Sequence, residues 1–222
     1  MTASGAGSGK HSASSKRWLR RQATDPYVKE ARRQGYRSRA AFKLKELDDR
    51  FRVLAPGRRI VDLGAAPGGW TQVAVERVRS RDGGGGRVIA VDRAPMTPVA
   101  GADVIQADID DLGLPARLLD ALGGRADVVL SDMAPAATGH PGTDHVRIMA
   151  LADGALDLAK AILADGGVFV CKLWQGGSDP GLANSLKRDF ARVRRAKPPA
   201  SRSESAEIYL VATGFRGSSD AP

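Results

Sequence analysis

Cysteine is nearly absent: Cys171 stands alone among 222 residues, so no disulfide can form within the chain. Histidine is scarce as well. His11, His140 and His145 with one thiol fall short of the usual zinc sites unless carboxylates help, so no metal centre is expected. No apolar run approaches the ~20 residues of a membrane span, and no apolar stretch follows the N-terminus as a secretion signal requires. Disulfide-rich secreted, zinc-finger and membrane classes are thereby excluded, and a cytoplasmic protein is expected.

What the chain has is unevenly placed charge. The net charge is +9. Residues 1–59 hold 16 Lys/Arg against 5 Asp/Glu, residues 60–186 hold 10 against 16, and residues 187–222 hold 8 against 4. An acidic middle between two basic ends suggests a polyanion lying across the ends. The stretches Lys16–Arg39 and Lys187–Arg202 are the expected grips on a nucleic-acid backbone. Residues 1–24, rich in Gly, Ser, Ala, Lys and Arg, read as a flexible basic tail. Their Arg/Ser content resembles a transit peptide, but poor amphipathicity argues against one. One domain over 25–216 and a short tail over 217–222 complete the organisation.

Asp25-Pro26 is an N-cap with proline at the first helical position, and Gly35 stops that helix. Ser38 is expected to cap a second helix carrying Phe42, Leu44 and Leu47. After Pro56-Gly57, short apolar runs alternate with helical stretches. Strands are expected at Ile60–Leu63, Val88–Val91, Val104–Gln106, Val128–Leu130, Val168–Cys171 and Ile208–Val211. Helices are expected at Trp70–Val78, Pro115–Leu122, His145–Leu163 and Leu182–Phe190. Alternating βα units with near-continuous apolar strands imply an α/β fold, a mostly parallel sheet with helices on both faces.

Open sheets of this kind bind ligands at the carboxyl ends of their strands. The first strand runs into Val61-Asp62-Leu63-Gly64-Ala65-Ala66-Pro67-Gly68-Gly69-Trp70, whose small residues let the backbone approach a ligand closely. The spacing is not G-x-G-x-x-G, and Pro67 removes an N–H that a pyrophosphate would use. Asp62 instead offers a carboxylate, which suits a cation. Asp92 ends the second strand and can accept both hydroxyls of a ribose. Asp108 follows the third and can accept from an adenine amino group. Adenine, ribose and a positive centre without phosphate describe S-adenosylmethionine better than a dinucleotide. A dehydrogenase would need the missing pyrophosphate loop.

The segments Arg37–Leu44, Val61–Trp70, Ser131-Asp132-Met133-Ala134-Pro135 and Val170-Cys171-Lys172 together closely resemble the FtsJ-type (RrmJ/RlmE) RNA 2′-O-ribose methyltransferases, from about Ser14 to Gly214. The resemblance implies a Rossmann-like methyltransferase fold with a seven-stranded sheet and S-adenosylmethionine as cofactor. It also implies a Lys43, Asp132, Lys172, Glu207 tetrad, and donor contacts from Gly68, Trp70, Asp92, Asp108 and Asp132. Members commonly carry Ser-Arg-Glu before the last strand, where this chain has Ser203-Glu204-Ser205-Ala206-Glu207, so Glu204 is the alternative fourth member. The bacterial branch methylates a uridine ribose in 23S ribosomal RNA of the large ribosomal subunit, which makes that RNA the expected partner and a monomer the expected state. The same transfer on tRNA or an mRNA cap is the alternative.

The residues themselves bear on the chemistry. A ribose hydroxyl is a poor nucleophile, and a lysine at a buried strand end can orient it and take its proton. Lys172 is that lysine, with Asp132 holding its ammonium. Met133 and Ala134 offer no aromatic platform for a flipped base, which favours ribose over base methylation. Cys171, one residue along, faces the other side of the strand as core.

Overall fold

The computed structural model describes residues 24–135, 138–175 and 180–217. The proposed tail before residue 24, most of the tail after 216, His11 and the basic residues from Lys16 to Arg21 lie outside the described residues.

Two helices come first. α1 (Pro26–Gln34) is capped by Asp25, whose carboxylate accepts from the Tyr27 and Val28 amides, and ends at Gly35 with φ 77°, a value that glycine adopts without strain. α2 (Ala40–Phe51) buries Ala41, Phe42, Leu44 and Leu47. Its N-cap is Arg39, without a side-chain cap, and not Ser38. Ser38 Oγ instead sits where a Cβ on Gly69 would stand, so that hydroxyl serves close packing between α2 and the helix after the glycine loop.

The alternating part follows as β1 (Arg59–Leu63), α3 (Gly69–Val78), β2 (Arg87–Asp92), β3 (Asp103–Gln106), α4 (Leu114–Leu122) and β4 (Ala126–Ser131). Then come α5 (Pro141–Ile162), β5 (Leu163–Trp174), α6 (Pro180–Asp189), β6 (Phe190–Ala196) and β7 (Glu207–Phe215). The seven strands form one sheet in the order β3-β2-β1-β4-β5-β7-β6. β7 enters antiparallel between β5 and β6, and the other pairs are parallel. Several elements differ from the sequence expectation: β5 extends to Leu163–Trp174, β7 to Glu207–Phe215, and β6 was not among the expected strands. α5 starts at Pro141 and not at His145, with proline in its first turn. Phe190 begins a strand and does not end a helix, because burial against Phe169 and Phe215 outweighs its place at the end of a helical pattern.

Each sheet face carries its own core. One face packs Val61, Ile89, Val129, Phe169, Cys171 and Leu210 under α4, α5 and α6. The other packs Ile60, Val88, Val128, Val170, Tyr209 and Val211 under α1, α2 and α3. Strand order reverses between β1 and β4, and a ligand crevice opens at the carboxyl ends beside such a reversal.

Candidate active site

Strand register assembles the reacting end of the site. Lys172 lies directly opposite Tyr209, and Trp174 opposite Glu207, so Lys172, Tyr209 and Glu207 share one sheet face. That face is the one covered by α2, which brings Lys43. The Lys43 ammonium lies 2.7 Å from each Glu207 carboxylate oxygen. Ser201 Oγ donates to the same carboxylate at 2.7 Å. Burial pushes the Glu207 carboxyl up, yet the Lys43 charge and these hydrogen bonds outweigh it and hold the group below its ordinary value. Glu204 is exposed in the turn before β7 and accepts from the Ser203 hydroxyl; it is not on the strand.

Lys172 is 7% exposed. Its Nζ donates to the Asp132 carbonyl at 2.6 Å and lies 3.2 Å from Asp132 Oδ1. The same Oδ1 accepts from the Tyr209 hydroxyl at 2.7 Å. Tyr209 is fully buried, and burial together with the Asp132 and Glu207 charges keeps its phenol protonated. Lys43 also stands over its ring, 5.8 Å from the centroid. Tyr209 is the member that sequence reasoning missed. Its signal was strand period: two residues beyond Glu207, it must share that side chain's face.

Cys171, as expected, faces the other core, where burial pushes its thiol up to about 12. No group of His, Cys, Asp and Glu suited to a metal occurs among the described residues.

At the glycine loop the structure refines several expectations. Asp92 uses both oxygens on backbone: Oδ2 accepts from the Ala66 amide at 2.9 Å and Oδ1 from the Ala94 amide at 2.8 Å. A carboxylate offers about four acceptor sites, so capacity for a diol remains. Asp108 is exposed and accepts from the Asp110 amide in its own turn. Trp70, expected among the donor contacts, stands in the first turn of α3. Its indole is buried, donates to the Ala40 carbonyl at 2.8 Å and packs on Tyr209. Gly68 has φ 111°, and a Cβ there would meet Arg37 Nη1 at 2.9 Å.

Arg37 itself corrects the picture of a uniform basic grip. Its guanidinium donates to the carbonyls of Pro67 at 3.1 Å, Thr97 at 2.5 Å and Pro98 at 2.6 Å. It therefore ties the loop after β1 to the loop after β2. Arg39 pairs with Asp25 and donates to the Ala200 carbonyl, Arg202 pairs with Asp25 at 3.2 Å, and Lys197 donates to the carbonyls of Ser203 and Ser205. These cations hold the fold together.

Asp62 tests what the crevice can hold. It is fully buried, Oδ2 accepts from Thr71 Oγ1 at 2.7 Å, and Oδ1 has no hydrogen-bond partner among the described residues. Burial, with the charges of Asp132 and Asp92 adding, pushes its carboxyl up to about 7 despite the Thr71 bonds. An orphaned acceptor among three carboxylates favours a positively charged ligand with N–H or O–H donors and disfavours a phosphate.

A sheet closed by a reversed seventh strand, with acidic strand ends instead of a phosphate cradle, places the molecule among the methyltransferases. The sequence profile of the FtsJ-like methyltransferase family matches residues 36–215, and the chain belongs to that family. It is 58% identical over 200 residues to a Gluconobacter oxydans protein named ribosomal RNA large subunit methyltransferase E, covering 90% of this chain and 72% of that one. A Paramagnetospirillum magneticum protein of the same name is 58% identical over 208 residues, 93% of this chain and 85% of the relative. Among solved structures, a Plasmodium falciparum protein described as a ribosomal RNA methyltransferase superposes with a TM-score of 0.73 at 31% identity, over 82% of this chain and all of that chain.

Proposed function

We propose that the protein transfers a methyl group from S-adenosylmethionine to a uridine 2′-hydroxyl in 23S ribosomal RNA of the large ribosomal subunit. The observation that carries this reading is the network Lys172–Asp132–Tyr209, with Lys172 and Tyr209 buried, beside Lys43–Glu207, set next to carboxylates at the strand ends. The names of the relatives support ribosomal RNA as the acceptor over tRNA or a cap.

S-adenosylmethionine, when bound, supplies a methyl on a cationic sulfur. Asp62, Asp92 and Asp108 are the carboxylates that would hold its cationic and hydroxyl groups. Among the described residues Asp132 alone meets Lys172 Nζ, in two of its three directions, and the third would take a hydroxyl. Lys172 thus orients the acceptor oxygen for in-line attack, and this positioning is a large part of the rate. As the oxygen–carbon bond forms and the donor's sulfur–carbon bond breaks, Lys172 would take the hydroxyl proton, and Asp132, 3.2 Å from its Nζ, would stabilise the ammonium that carries it. Tyr209 fixes Asp132 by donating to it, and Glu207 neutralises Lys43 so that a second buried cation does not repel the first.

Labelled methyl donor incubated with the protein and either undermethylated large subunits or tRNA tests the assignment. Label should appear in a ribose-methylated uridine of the large subunit. Lys172→Ala should lower turnover by ~10²–10⁴ while donor affinity, measured by calorimetry, stays within twofold (roughly 0.4 kcal/mol). A variant keeping a tenth or more of wild-type turnover would remove Lys172 from the reaction.

A further inference from the structure

We propose that the outer strand β6 is an RNA-backbone contact and that Arg192 and Arg194 are its phosphate-binding residues; this rests on the reading of the protein as an RNA methyltransferase. The basic side chains nearest the tetrad are engaged inside the protein: Lys43 with Glu207, Arg39 and Arg202 with Asp25, Arg37 and Lys197 with backbone carbonyls. β6 differs. Arg192, Arg194 and Arg195 are exposed, stand opposite the neutral Thr213, Val211 and Leu210, and have no hydrogen bond or ion pair among the described residues.

Register fixes where these charges lie. Lys172 is opposite Tyr209, and Tyr209 is opposite Ala196, so Ala196 is two strand spacings, roughly 10 Å, from the reacting lysine. Arg194 is two residues back along β6 and on the same face as Ala196, which sets its Cα within about 12 Å of that of Lys172. Arg192 continues the line on that face. A strip of unpaired guanidiniums running away from the acceptor hydroxyl suits the polyanionic backbone on either side of a target nucleotide. Arg195 is opposite Leu210, whose side chain belongs to the other core, so it points away from the tetrad face.

The bland account of arginines on a sheet edge is protection against edge-to-edge pairing. That account treats the three arginines alike, whereas an RNA strip on the tetrad face separates Arg192 and Arg194 from Arg195. The full chain is titrated with a uridylate oligonucleotide over a range of salt. Arg192→Gln/Arg194→Gln should weaken binding roughly tenfold at physiological salt and shallow the log–log salt slope by about 1.4, at ~0.7 per lost phosphate contact. Arg195→Gln should match wild type, and all variants should keep wild-type donor affinity.

An unchanged slope in the double variant, or an equal loss from Arg195→Gln, overturns the strip while leaving the methyltransferase reading intact if wild type still methylates large subunits. Loss of binding to assembled subunits with an unchanged slope on the oligonucleotide also overturns it, pointing to a protein partner. A wild type that neither binds nor methylates RNA overturns both readings.

Discussion

At the scale of single residues, the site joins two kinds of electrostatic tension. Glu207 is half-buried, and Lys43 against it keeps its carboxyl below the ordinary value, while Asp62 is fully buried with one oxygen unpartnered among the described residues. A carboxyl whose folded value is about 7 against 3.8 unfolded binds its proton more tightly when folded. Its contribution is therefore most favourable below the unfolded value and is lost as pH rises towards 7, by roughly 4 kcal/mol at the limit. Thermal melts of the unliganded protein from about pH 5 to about pH 8 should register that loss in wild type and not in Asp62→Asn. Parallel profiles would place the tension elsewhere. A cationic ligand relieves it, so donor affinity should rise through neutral pH in wild type only. The two glutamates give the second residue-scale prediction. Glu207→Ala leaves the half-buried Lys43 without its counter-charge, and turnover should fall markedly. Glu204→Ala should act like wild type in the same assay. The reverse result would mean that the Lys43–Glu207 pair is not needed for transfer. Sequence spacing alone left both open, and the register opposite Trp174 separates them.

At the scale of elements, the turn between α1 and α2 does more than join them. Arg37 reaches from it to three carbonyls on two loops, and the Arg37 amide donates to Gln72 Oε1 at 2.8 Å on α3. The segment joining the N-terminal helices therefore braces the loops after β1 and β2. Arg37→Ala should weaken S-adenosylmethionine binding by about 1–3 kcal/mol, roughly tenfold, with partial recovery in Arg37→Lys and little change in RNA salt slope. A variant with normal donor affinity and a shallower slope would return Arg37 to the RNA-binding set. This role was not legible in the sequence, because a guanidinium in a basic segment reads as surface charge until the loops it reaches are known. Trp70 is a similar case: its place at the start of α3 was read correctly, but only packing against Tyr209 and α2 decided that its indole is core.

At the scale of the molecule, two cores share one sheet, and β7 belongs to both. Its Tyr209 and Val211 face α2, while Leu210 and Ala212 face the other side. Phe190 anchors the outer strand against Phe169 and Phe215. Phe190→Ala should cost about 3–5 kcal/mol, lowering the melting temperature by roughly 10 °C for a domain of this size. It lies at the end of β6 remote from Ala196 and Tyr209, so turnover measured well below that temperature should be preserved. A comparable loss of turnover would show that the tetrad depends on the whole outer strand.

Local chemistry in the sequence was enough to determine the α/β class, the glycine loop, the carboxylates at strand ends and the lysine at the end of β5. Most of the periodicity, the Asp25 cap and the small-residue loop depend on neighbouring positions alone, whereas the expected Ser38 cap gave way to packing against Gly69. The tertiary structure decided which charges are free and which are paired. Asp25 meets Arg39 and Arg202 across 14 and 177 residues of chain, and Lys43 meets Glu207 across 164. Such partners are chosen by strand order and register, and neither can be read from one segment. That is why Tyr209 meets Asp132, Arg37 and Arg39 are engaged within the fold, and β6 keeps its arginines exposed.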